Sequence, residues 1–127
     1  MNTTAHRHLD EAAVQHVSEF FRALSDPMRL RILDELRGAG PASVGELTQR
    51  LGSSQANVSK HLSTLAQRGL VEREAQGTRT IYRIGEDIAA PLCDLVCEHV
   101  AQRLQAAALA GARLARRGPG AEGDTDD

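Results

Sequence analysis

Between Ser54 and Ser63 the chain carries a dense run of hydrogen-bonding side chains: Ser54, Gln55, Asn57, Ser59, Lys60, His61 and Ser63. No Asp or Glu occurs between Leu47 and Val71. A solvated helix face ordinarily mixes Glu with Lys in ion pairs, whereas a polar face without acids suits phosphates and base edges. The chemistry this implies is recognition: Gln matches the N6/N7 edge of adenine, and Ser serves any base. A second pair of residues has a different chemistry. Cys93 and Cys97 stand at i and i+4, which puts both thiols on one side of a helix with Cβ atoms about 5–6 Å apart. Thiolates are soft ligands for As(III), Cd(II), Cu(I) or Zn(II). A third ligand would come from an opposing helix or from His6, His8 and His16. The same thiols can instead be oxidised. A disulfide within one helix strains the backbone, so the oxidised bond is expected to cross between two chains. Packing is an equal alternative, because cysteine is among the most buried residue types.

The elements that position these groups follow from periodicity and caps. Ser43 and Glu46 make an S-x-x-E capping box, which opens a helix, and Gly52 ends it. Ser54 caps the next helix, in which Val58, Leu62 and Leu65 recur at i, i+4 and i+7 as one buried stripe. Two short helices joined by a tight turn form a helix-turn-helix. Ahead of it, Leu9, Ala13, Val17, Phe20, Phe21 and Leu24 predict a helix over residues 8–24. Asp26-Pro27 caps and starts another to Arg37, with Leu30, Ile32, Leu33 and Leu36 expected inside. Gly69 is expected as a left-handed terminator. Residues 70–74 and 80–84 read as strands of a hairpin with a glycine turn, on which Arg73, Arg79 and Arg83 stand. Arg79, near the hairpin tip, is expected to meet a phosphate or a minor groove. Arg73 and Arg83 have the alternative of cross-strand pairing with Glu72 and Glu74. A last helix is predicted over residues 86–114, with Ala89, Val96, Val100 and Leu104 on the side of the cysteines.

These elements make a mainly α chain with one β-hairpin, in the order α-α-α-α-β-β-α, which is a winged helix-turn-helix. Residues 1–8 are expected to be a flexible arm, 9–114 a single DNA-binding and dimerisation domain, and 115–127 a disordered acidic tail. At 127 residues there is room for one modest core. The formal charge of −2 is misleading for a nucleic-acid binder. Glu122, Asp124, Asp126 and Asp127 crowd the last residues, whereas residues 26–84 hold nine Lys/Arg against six Asp/Glu. Positive charge therefore sits where a phosphate backbone needs it. With one Tyr, two Phe and no Trp, stacking of single-stranded bases is disfavoured. No apolar run is long enough to span a membrane, and the N-terminus lacks a secretory signal. A cytoplasmic location with reduced thiols is expected.

The string resembles the ArsR/SmtB family of bacterial winged-helix repressors over roughly residues 10–105. The resemblance rests on Asp26-Pro27-Met28-Arg29-Leu30-Arg31-Ile32-Leu33, on Ser54-Gln55-Ala56-Asn57-Val58-Ser59-Lys60-His61-Leu62, and on Gly69-Leu70-Val71, Gly77 and Tyr82-Arg83-Ile84. It implies a homodimer through the first and last helices, with sensing sites whose occupation or oxidation releases DNA. The family's zinc-type pattern falls here on Glu86-x-Ile88 and His99-x-x-Gln102. Glu86 and His99 match, Ile88 has no ligating atom, and Gln102 is a poor zinc ligand. The family's arsenic motif, a cysteine cluster in the helix at Val44–Leu51, is absent from the sequence.

The expected function is a sequence-specific regulator, a repressor on double-stranded DNA with an inverted-repeat operator. The expected DNA contacts are Ser54, Gln55, Asn57, Ser59, Lys60, His61, Ser63 and Arg79. Cys93, Cys97, His99 and Glu86 are the sensor candidates for a transition metal or metalloid ion. No other cofactor is indicated. Three rivals remain at this point: a winged-helix protein-interaction module, a regulator with no thiol sensing, and a thiol redox enzyme. Against the enzyme, the cysteines sit inside a helix and not at its N-terminus, where a thiol pKa would fall.

Overall fold

The computed structural model describes residues 8–121, with side chains through Ala115. It contains α1 (Glu11–Leu24), α2 (Pro27–Ala39), β1 (Ala42–Ser43), α3 (Val44–Leu51), α4 (Gln55–Gln67), β2 (Val71–Gln76), β3 (Arg79–Ile84) and α5 (Ala89–Ala121). The order predicted from the sequence is present, with one added strand. Two compact units divide the chain, Met1–Ala90 and Pro91–Asp127.

Side-chain caps set where the helices of the first unit begin. Asp10 accepts from the Ala13 N–H at 2.8 Å, so α1 starts at Glu11 and not at His8. Asp26 accepts from the Arg29 N–H at 3.1 Å ahead of Pro27. Ser43 and Glu46 complete the reciprocal box, the Ser43 N–H donating to Glu46 Oε1 at 2.9 Å and the Glu46 N–H to Ser43 Oγ at 3.2 Å. Each such cap satisfies donors that the helix itself leaves orphaned. Gly52 closes α3 at φ +66°, a left-handed conformation that costs any residue with a Cβ. The chain thereby reverses in two residues, and Ser54 caps α4 by accepting from the Asn57 N–H at 3.1 Å.

The core of this unit combines Ile32, Leu33 and Leu36 of α2 with Leu47 of α3 and Val58, Leu62 and Leu65 of α4. Leu70, Val71, Ile81, Tyr82 and Ile84 complete it from the sheet side. Each fully buried side chain of this size contributes about 1.5–3 kcal/mol relative to exposure. Leu30 departs from expectation and is 45% exposed. Residues two apart on a helix point about 200° away from each other, and Ile32 takes the inward position.

The sheet has the order β1-β3-β2, all antiparallel. The two-residue β1 pairs Ala42 with Tyr82 and Ser43 with Ile81; a strand of two residues leaves no periodic pattern to read. The hairpin is longer than predicted, running to Gln76 opposite Arg79 across a two-residue turn at Gly77-Thr78. Beyond it, Gly85 donates to the Leu70 carbonyl at 2.9 Å. A Cβ on Gly85 would lie 2.8 Å from the Gly69 carbonyl oxygen and 3.3 Å from that of Leu70.

In the second unit α5 differs from expectation at both ends. It begins at Ala89 and not Glu86, because residues 86–88 form a turn in which the Gly85 carbonyl accepts from the Ala90 N–H at 2.9 Å. It continues past Leu114 to Ala121, into residues expected to be disordered. Arg116 and Arg117 are good helix formers, whereas Gly118, Pro119 and Gly120 oppose a helix, so local propensity does not account for the last turn of α5. Expectations for the N-terminal arm through Arg7, and for the tail from Glu122 onward, lie outside the described residues.

Two outcomes follow from this architecture. Gly85→Ala forces the Gly69–Leu70 backbone to shift, and it should cost about 1–3 kcal/mol in urea unfolding; an unchanged midpoint would mean that the close approach carries no constraint. The second concerns acid. The backbone N–H of Arg29 holds the Asp26 carboxyl below its ordinary range, with the Arg29 charge adding to it. The Ser43 N–H does the same for Glu46, aided by Arg79 and Arg50. Both groups thus contribute stability that is present above the usual carboxylate range and lost as pH falls through their lowered folded values. Thermal melts from about pH 5 to 2 should show a steeper loss for the wild type than for Asp26→Asn or Glu46→Gln.

Candidate nucleic-acid interface

The buried stripe of Val58, Leu62 and Leu65 holds α4 on one side only. Its opposite arc exposes Gln55, Ser59, Lys60 and Ser63, flanked by Ala56 and Gln67. Four of the expected contact residues therefore stand together, about one helical turn apart in two rows. None of these four side chains is tied to another described residue. The arc offers amide, hydroxyl and ammonium groups and no carboxylate, so it can approach a polyanion without like-charge repulsion.

Three other expected residues are engaged locally. Ser54 is the cap of α4. Asn57 is half-buried, its Nδ2 donating to Ser53 Oγ at 2.9 Å across the turn. His61 is a correction: its side chain is only 11% exposed, turned off the polar arc onto the flank of the buried stripe. There Arg29 Nη1 lies 3.2 Å from Nδ1, and Asp26 Oδ2 lies 3.9 Å from Nε2. Position in the helix decides this. His61 stands three residues after Val58 and four before Leu65, beside the buried stripe, and its ring can reach polar groups on α2 that no local pattern reveals.

Arg29 was not singled out from the sequence, and its guanidinium is the most heavily used in the first unit. Nε donates to the Ala23 carbonyl at 2.7 Å and Nη2 to the Arg22 carbonyl at 3.3 Å, while Nη1 meets His61. It satisfies the Ala23 carbonyl at the end of α1 and adds a donor to the Arg22 carbonyl, which also accepts from Ser25. The available signal was its place three residues after the Asp26 cap.

On the wing, Arg79 reaches back to Glu46 at 3.3 Å, joining the hairpin to the start of α3. Both side chains keep about half their surface open, Arg79 57% and Glu46 44%. Arg83 pairs with Glu74 at 2.7 Å, the cross-strand alternative, made diagonally because Glu72 is directly opposite. Arg73 is exposed and forms no ion pair with any described residue.

The sensor candidates fall in two elements. Cys93 is half-buried and Cys97 exposed on α5. His99 lies on the same helix, and Glu86 lies in the turn before it. Among the described residues no group of three or more His, Cys, Asp and Glu converges as a metal site. Among the described residues, one chain therefore does not bring together the ligand set that the family's zinc-type pattern requires. No helix of the described residues is long and apolar enough to cross a membrane.

A sequence profile described as a helix-turn-helix domain matches residues 24–74, from the end of α1 into β2. The HTH-type transcriptional regulator YgaV of Escherichia coli K12 is 32% identical over 91 residues, covering 68% of this chain and 92% of that one. The arsenical resistance operon repressor of Bacillus subtilis is 34% identical over 67 residues, covering 53% of this chain and 64% of the relative. Among solved structures, the homodimeric winged helix-turn-helix DNA-binding domain Mb0332 of Mycobacterium bovis superposes with a TM-score of 0.71 at 30% identity. The match covers 81% of this chain and 94% of that domain. These relatives are regulators, and the shared length takes in both the helix-turn-helix and the wing. The chain belongs to the ArsR/SmtB family of winged helix-turn-helix transcriptional regulators.

Proposed function

We propose that this chain is a homodimeric repressor whose α4 arc reads an inverted repeat and whose α5 thiols report the signal that ends repression. The observation that carries the DNA half is the acid-free, exposed row of Gln55, Ser59, Lys60 and Ser63 beside a wing that carries arginines. Two such helices enter successive major grooves of one duplex face when half-sites lie about 34–36 Å apart. Gln55 and Ser59 address base edges, Lys60 addresses a phosphate, and the partly open Arg79 guanidinium addresses the flanking backbone. Two exposed apolar surfaces support a second copy as partner. One is Leu9, Val14, Val17 and Phe21 on and beside α1; the other is Leu95, Val96, Val100 and Leu104 on α5. Catalysis forms no part of this reading.

For the sensing half, support comes from the i, i+4 thiols and from the arsenical repressor among the relatives. Because one chain lacks a three-ligand cluster among its described residues, a soft ion bound here takes a further donor from a second chain or from the N-terminal histidines, of which His6 lies outside those residues. The alternative signal is an oxidant that removes two electrons and two protons from a pair of thiols.

Selection from a random duplex pool tests the function directly. The wild type should enrich an inverted repeat, and Gln55→Ala/Ser59→Ala should lose discrimination by about 1–3 kcal/mol per good base contact with the dimer intact. Enrichment of the same repeat with undiminished discrimination would remove α4 from the reading role.

A second experiment addresses sensing. Cys93→Ser/Cys97→Ser should bind the selected duplex as the wild type does, yet keep it when arsenite, Cd(II) or peroxide is added. Serine is a poor soft-metal ligand and forms no disulfide. Release by metal should weaken as pH drops, because thiolates must form, and should reverse with chelator. Release by peroxide should reverse with dithiol reductant. Wild-type release that persists in the double mutant would assign the thiols to packing.

A further inference from the structure

His61 belongs to α4, yet its ring faces away from the arc that meets DNA. Arginine only donates hydrogen bonds, so the 3.2 Å contact with Arg29 Nη1 makes Nδ1 an acceptor. The ring proton then belongs on Nε2, the nitrogen beside Asp26. Asp26 in turn caps α2 through the Arg29 N–H, and Arg29 closes α1 through the Ala23 and Arg22 carbonyls. One planar guanidinium thus ties the end of α1 and the flank of α4 to the first turn of α2. Its rigid fork sets direction as well as distance.

Direction is what the rest of the α4 interface lacks. Val58, Leu62 and Leu65 are held by apolar contact, which is non-directional. A helix so held can turn about its own axis at small cost, and such a turn would swing Gln55 and Ser59 across the groove. A hydrogen bond on the flank weakens steeply with angle and opposes that rotation. We propose that Asp26, Arg29 and His61 set the rotational register of the recognition helix, with His61 a positioning residue that touches neither base nor phosphate. The inference rests on reading the α4 arc as the DNA-facing surface.

The test uses the full chain and the duplex that the wild type selects from a random pool, at a temperature where circular dichroism shows every variant folded. His61→Ala and Arg29→Lys should each reduce the affinity ratio of selected to scrambled duplex by at least about tenfold. The double variant should lose no more than the worse single, as coupled residues do. His61→Asn, whose amide oxygen accepts near the Nδ1 position, should recover most of the ratio. The salt slope should not change, since no phosphate contact is removed. An unchanged ratio in His61→Ala, additive losses, a loss confined to one base pair, or a reduced salt slope would each overturn the proposal. Nitrogen-15 spectra of the wild-type ring give a readout independent of any variant: a bare Nδ1 and protonated Nε2 are expected, and a protonated Nδ1 overturns the contact. Should the wild type select no duplex at all, the reading of α4 falls, and this inference with it.

Discussion

Everything at the candidate interface depends on α4 being held from one side only. Val58, Leu62 and Leu65 are fully buried while Gln55, Ser59, Lys60 and Ser63, on the same four turns, stay in solvent. A helix of this length is marginal alone in water, so burial of the stripe is what makes the polar arc a preformed surface. Preformation matters for recognition because ordering a loose segment on the duplex would subtract from the binding energy.

The other elements serve that placement. The left-handed Gly52 and the Ser54 cap fix the point at which α4 leaves α3. The capping box and the wing share a residue: Glu46 accepts from Ser43 and also meets Arg79. The start of α3 and the tip of the hairpin are thereby linked electrostatically, in addition to the β1–β3 pairing. An ion pair this exposed adds little stability, about 0–1 kcal/mol. Its effect is on where Arg79 rests, and a phosphate oxygen would compete with Glu46 for the same guanidinium. Arg83, paired with Glu74 at 2.7 Å, is less available for such an exchange than the unpaired Arg73.

The proposed sensing and reading groups lie in different units of the chain, thiols in Pro91–Asp127 and the polar arc in Met1–Ala90. A regulator built this way needs a coupling free energy between two sites, and linkage requires that DNA weaken the signal's binding by the same factor that the signal weakens DNA binding. The dimer is the natural carrier. Apolar side chains left exposed on both α1 and α5 are the surfaces that the proposed dimer would use to set the spacing of its two α4 helices.

Much of this was legible in the residue string. Caps and breakers are local: Asp26-Pro27, Ser43-x-x-Glu46, Gly52, Ser54 and Gly69 mark their boundaries because the groups they satisfy lie within four residues. The α4 stripe and the hairpin alternation are local as well, so the helix-turn-helix and wing could be read directly. What the string did not hold were pairings between residues far apart in sequence. The strand β1 exists only because β3 offers it a ladder. His61 carries the same polar character as Ser59 or Lys60, yet it meets Arg29, thirty-two residues away, off the exposed polar arc. The sequence alone determined which segments fold and which side of α4 is polar. Only the tertiary structure decided which polar groups remain free, because hydrogen-bond partners are chosen by proximity in space and not by order along the chain.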